Sequence, residues 1–120
     1  MSLIGLVLNI NYTIIKNDDE SIACFIIITE SSIIISFRGT ETRNINRQIN
    51  NIITDTNITK VKFYDFGKIH KGFKFAADSI WNDLYKIVKN NYKNKSIWLT
   101  GHSLGGALAV IIGAMLLTLK

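Results

Sequence analysis

From Ser96 to Leu119 the chain carries no charged side chain, and the first half of that run is broken by Gly101-His102-Ser103-Leu104-Gly105-Gly106. No other feature constrains the fold as strongly. The run is 24 residues long, which meets the length needed to span a bilayer. The glycine-rich break argues against that use, because the apolar helix left after it, Leu104 to Leu119, is only 16 residues, short of the ~20 a span requires. The alternative is two elements: Ser96–Thr100 (S-I-W-L-T) as a strand and Leu104–Leu119 as a helix, joined by a very tight turn. A strand that passes at once into an apolar helix belongs to layered α/β structure.

The rest of the chain agrees. Ser21–Thr29 and Ser32–Phe37 are short β-branched and aromatic runs. They are too short for helices and too uniformly apolar for a half-exposed sheet, so they are expected to be strands covered on both faces. Glu41–Thr59 is polar, with Ile45, Ile49, Ile52 and Ile53 at roughly helical spacing, and is expected to form a weak amphipathic helix and a loop. Lys60–Tyr64 reads as a short extended segment. From Gly72 the period changes: Phe73, Ala76, Ala77, Ile80, Trp81, Leu84, Ile87 and Val88 share one face. Lys74, Asp78, Asn82, Lys86 and Lys89 lie opposite, which predicts an amphipathic helix of about five turns. Asn90–Lys95 is a polar break. With no linker and no internal repeat, residues 1–120 form one unit, an α/β domain with a largely parallel sheet flanked by helices.

Composition excludes several functions. The single cysteine, Cys24, cannot form an internal disulfide. The formal net charge of +5 is weak evidence for a nucleic-acid partner. It rises with 22 Ile, 12 Asn and 11 Lys in a chain without proline, the pattern of an AT-rich coding sequence. The late cluster Lys86, Lys89, Lys93 and Lys95, with Tyr85 and Tyr92, reads as the solvated side of a helix. No nucleic-acid partner is expected. The apolar start, Leu3 to Leu8, lacks a preceding basic region and a small-residue cleavage site, so no signal peptide is expected. No cluster of residues has metal-ligand spacing, and neither metal nor cofactor is implied.

Gly101-His102-Ser103-Leu104-Gly105 is a G-x-S-x-G pattern set between a strand and a helix. A sharp strand-to-helix turn holds one side chain out at the sheet edge in a strained conformation. Strand and helix then approach so closely that the positions two before and two after the serine must be small. Gly101 and Gly105 meet that condition. Ser103 would stand at the helix N-terminus, whose free N–H groups favour a developing oxyanion, and the Leu104 N–H is one such donor.

Three segments carry a family resemblance, in order. I-W-L-T-G-H-S-L-G-G-A-L-A resembles the nucleophile elbow of the class 3, fungal-type triacylglycerol lipases, a branch of the α/β-hydrolase fold. S-F-R-G-T (Ser36–Thr40) resembles that family's strand-ending F-R-G-(S/T) segment, and I-H-K-G-F (Ile69–Phe73) its V-H-x-G-F segment. The resemblance implies Ser103 as nucleophile and Thr40, through its N–H and hydroxyl, as the second oxyanion donor beside Leu104. It implies packing or hydrogen-bonding roles for His102 and His70. It also implies an ester or lipid substrate and contact with a lipid interface. Where filamentous-fungal members carry a tryptophan-bearing lid helix, this chain has Thr42–Asn51 without tryptophan, so a small-ester hydrolase is as well supported as a long-chain lipase.

One expected part is missing. The α/β-hydrolase triad runs Ser, then Asp or Glu, then His. After Ser103 the chain has none of these, and Lys120 is its one remaining charged side chain. The sequence therefore reads as the front and middle of such a domain, truncated after the elbow helix. The competing expectation is a non-catalytic remnant serving as a binding or oligomerising module. Sequence alone fixes neither the oligomeric state nor the compartment.

Overall fold

The structure, a computed structural model, describes residues 11–39, 60–65 and 67–119. Strands β1 (Asn11–Lys16), β2 (Ala23–Ile28) and β3 (Ser32–Phe37) form an antiparallel meander. β4 (Lys60–Lys62) and β5 (Lys68–His70) form a separate small hairpin, followed by helix α1 (Lys71–Asn91). β6 (Ser96–Gly101) then returns parallel to β3, and helix α2 (Leu104–Leu117) follows it. The main sheet has the order β1-β2-β3-β6.

Side-chain hydrogen bonds fix both turns of the meander. Asn17 Oδ1 accepts from the Ile22 N–H at 3.0 Å. Asp19 Oδ1 accepts from the backbone and hydroxyl of Ser21, which holds its carboxyl below the usual carboxylate range. Thr29 Oγ1 accepts from the Ser32 N–H at 3.0 Å. The start of β6 is tied to this second turn. Lys95 Nζ donates to the Thr29 and Glu30 carbonyls at 2.6 and 2.9 Å, and the Ser96 N–H donates to Ser31 O at 2.9 Å.

Alternation sorts the sheet into two faces. Ile15, Cys24, Ile26, Ile33, Ile35 and Phe37 are buried. Against them pack Ala77, Ile80 and Leu84 of α1 and Leu108, Ile112 and Met115 of α2, all buried in the same core. The α1 period matches the expectation, and the helix begins one residue earlier than Gly72.

The other face differs from expectation. Phe25, Ile27 and Ile34 are only half-buried, and Trp98 is 63% exposed. Strands expected to be covered on both faces are covered, among the described residues, by helices on one. β6 shows the clearest departure, alternating exposed and half-buried along its length. The expected largely parallel sheet is mixed: among the described strands only the β3–β6 pairing is parallel. β1 is an added strand: N-Y-T-I-I-K holds just one buried residue, Ile15, and so lacks an apolar run. The helix and loop expected over Glu41–Thr59 lie outside the described residues. No described helix is long and apolar enough to cross a membrane.

Candidate active site

β6 ends at Gly101 and α2 begins at Leu104, leaving two residues to reverse the chain. Ser103 takes up the turn with φ 59° and ψ −123°, a backbone region that side chains other than glycine rarely enter. The Gly105 N–H donates to His102 O at 3.0 Å and the Gly106 N–H to Ser103 O at 2.9 Å, which closes the first helical turn. The Ser103 side chain makes no capping bond and is exposed. As the first residue of α2, Leu104 has no intrahelical acceptor for its N–H, so that donor stands beside the serine.

The glycines are required by contact. A Cβ on Gly101 would lie 2.2 Å from Gly105 O, far inside van der Waals contact. Strand and helix touch backbone to backbone, as the G-x-S-x-G spacing predicts. His102 is exposed next to Ser103.

The F-R-G segment arrives at the same place. A Cβ on Gly39 would meet His102 O at 3.0 Å, so the chain leaving β3 runs against the elbow. Arg38 anchors this segment: its N–H donates to Ala23 O at 2.9 Å and its guanidinium to Glu20 O. The motif alone presents Arg38 as no more than a neighbour of Thr40. The signal that marks it is an arginine directly after a buried strand, a position where a charge needs partners. Thr40, the expected second donor, lies outside the described residues.

The remaining histidine has a structural task. His70 caps α1, its Nδ1 accepting from the Gly72 N–H at 2.8 Å, and its ring leans on Phe73 at 5.2 Å. Among the described residues neither His70 nor His102 hydrogen-bonds Ser103. The structure thus joins Gly101, His102, Ser103, Leu104, Gly105 and the Arg38–Gly39 segment at one end of β3 and β6.

Comparison with known proteins follows the same lines. The model of the family Lipase (class 3) matches residues 34–120. The chain belongs to the class 3 lipase family. A lipase from Rhizomucor miehei is 33% identical over 88 residues, 69% of this chain and 23% of that protein. The solved structure of R. miehei triacylglyceride lipase superposes with a TM-score of 0.74 at 24% identity, covering 92% of this chain and 43% of that one. The lipase of Rhizopus microsporus var. chinensis gives a TM-score of 0.69 at 23% identity, covering 96% and 41%. These matches show an α/β-hydrolase-type fold in part. The chain spans less than half the length of the class 3 lipases it matches.

Proposed function

We propose that this class 3 lipase chain is the nucleophile-bearing part of a serine hydrolase acting on acylglycerols or related carboxylic esters. The observation that carries the reading is Ser103 itself, held at φ 59° on the N-terminus of α2 between mutually touching glycines. In this reading Ser103 Oγ bonds to the acyl carbonyl carbon while its proton passes to a base. The carbonyl oxygen takes up the negative charge and is held by the Leu104 N–H and by Thr40. Collapse expels the alcohol, protonated by the same base, and water then releases the acid from the acyl-enzyme. Each oxyanion donor is worth on the order of 10²–10³ in turnover.

The base and its orienting carboxylate belong, in this reading, to polypeptide beyond these 120 residues, because none of the required side chains follows Ser103. A site of this type without its base keeps roughly 10³–10⁴ over the uncatalysed rate. The 120-residue chain is expected to be nearly inactive on a short-chain p-nitrophenyl ester. Turnover that disappears in Ser103→Ala would overturn that expectation. Fluorophosphonate labelling of a polypeptide extended past Lys120 tests the nucleophile, with labelling expected at Ser103 and none in Ser103→Ala. A non-catalytic remnant would instead give no labelling of the extended form even when concentrated.

A further inference from the structure

We infer that Arg38 is a positioning residue for the reaction at Ser103, and that the β1–β2 turn is the bracket through which it acts. The inference rests on the proposed chemistry of Ser103, because it gives Arg38 the task of holding the second oxyanion segment against the elbow.

The chain leaving β3 has little ladder left to guide it. The Arg38 N–H makes its final described bond to β2, at Ala23 O. Beyond that bond Gly39 lies against the elbow, where a Cβ would meet His102 O at 3.0 Å. The peptide before it is as close to α2: a Cβ on Gly105 would come within 3.2 Å of the Arg38 carbonyl carbon. In the proposed reaction the next residue, Thr40, supplies the second donor. A small rotation at Arg38 therefore moves that donor relative to Ser103, and a misplacement of about 1 Å is enough to lose about 10²-fold in rate.

The Arg38 side chain supplies the restraint. Its guanidinium donates to Glu20 O across 18 positions of sequence. A charged donor makes such a bond roughly twice as strong as a neutral one, and the planar guanidinium fixes its direction.

The acceptor is itself fixed. Glu20 has φ 59°, a conformation that residues other than glycine seldom adopt. The surrounding turn enforces it. The Glu20 N–H donates to Asn17 O at 3.0 Å, and the Asn17 N–H to Ile22 O at 3.1 Å. Asn17 Oδ1 accepts from the Ile22 N–H and Asn17 Nδ2 donates to Ser21 Oγ, at 3.0 and 3.1 Å. Asp19 Oδ1 takes the Ser21 N–H and hydroxyl. A strained backbone held by such a network points to a task. Here it presents a carbonyl to Arg38. The Glu20 carboxylate is engaged elsewhere, in an exposed pair with Lys16 at 3.8 Å.

Turnover of a short-chain p-nitrophenyl ester by the polypeptide extended past Lys120 tests this. Expressing kcat per site titrated to completion by a fluorophosphonate removes the contribution of misfolded molecules. Arg38→Gln should lower kcat on the order of 10–100-fold with KM within about twofold, as when an interaction made only in the transition state is lost. Asn17→Ala should lower kcat in the same sense. Arg38→Gln and Asn17→Ala combined should be no slower than Arg38→Gln alone, because both act through one carbonyl. Lys16→Ala should change neither constant. Backbone nitrogen relaxation of the 120-residue chain gives a readout that needs no activity. The Gly39 order parameter should fall from ~0.85 to below ~0.6 in Arg38→Gln, while those of Ile80 and Leu84 in α1 stay unchanged. The proposal is overturned by an unchanged kcat per site, a loss confined to KM, additive losses in the double variant, a loss in Lys16→Ala, or an unchanged Gly39 order parameter. If the natural extended chain neither labels nor turns over, the reading of Ser103 fails instead, and the Gly39 measurement alone decides whether Arg38 holds the segment.

Discussion

The Phe37 carbonyl oxygen lies where a side chain on Gly105 would begin: a Cβ built there would be 2.3 Å away. The end of β3 and the first turn of α2 are therefore in backbone contact, and that contact sets the elbow against the segment entering Gly39. Gly105→Ala must separate the two, and a loss of more than about 3 kcal/mol is expected, at the upper end for single substitutions. Gly113, in the same helix, faces only a Leu99 methyl at 3.6 Å. Gly113→Ala should instead gain about 0.5–1 kcal/mol from helix propensity. Urea unfolding of the two variants reads the contrast directly.

Ser103 is a source of strain. A non-glycine residue held in such a backbone region costs of order 1–3 kcal/mol. Ser103→Gly should stabilise the chain by about 1 kcal/mol and Ser103→Ala should change stability little. Thermal denaturation checks both. A marked loss of stability in Ser103→Gly would show that the backbone is relaxed there.

His70 acts on α1 through one acceptor. Removing an N-cap costs ~0.5–2 kcal/mol, so His70→Ala should destabilise by that amount. Asn, which can accept from the same N–H, should restore most of it as His70→Asn. If both variants lose equally, ring packing on Phe73 outweighs the cap.

Cys24 is buried, and desolvation pushes its thiol up from 9.0 to about 12. The unfolded chain releases this proton near its ordinary value while the folded chain keeps it. The contribution is therefore constant below pH 9 and is lost as pH rises from 9 towards 12, at about 1.4 kcal/mol per unit. The stability difference between the natural chain and Cys24→Ala should shrink along that slope. Iodoacetamide should alkylate Cys24 in urea far faster than in the folded chain.

Much of the fold and of the elbow is legible in the order of residues alone. The α1 face from Phe73 to Val88 is a plain 3.6-residue period, and Gly101 and Gly105 announce the backbone contact that forbids a Cβ. The burial of β6 is not legible there. An apolar run such as S-I-W-L-T shows that a strand can be covered, while its neighbours decide whether it is, and among the described residues only β3 is paired beside Trp98. β1 escapes because Ile15 is its only buried side chain, so neither alternation nor a continuous apolar run marks it. The β4–β5 hairpin turns through positive φ at Tyr64 (49°) and Gly67 (104°). A tyrosine there sends no turn signal, so Lys60–Tyr64 reads as an extended segment with no partner. Arg38 is marked by its place after a buried strand, but its partners are not legible, because its acceptors at Glu20 and Ala23 are backbone carbonyls that any sequence would supply.

The parallel pairing of Ser32 with Ser96 has a kinetic consequence. β1, β2 and β3 can zip through adjacent turns, but β6 reaches β3 only after the whole intervening chain has closed into a loop. Closure of that loop is the step expected to govern the folding rate, since non-local contacts repay their entropy last. The same arithmetic makes the enclosed stretch permissive. Doubling the length of a connection adds only about 0.6 kcal/mol, so insertions between β3 and β6 are expected to cost the sheet little. Evolution could lengthen that connection while the β3–β6 seam that holds Ser103 stays the same.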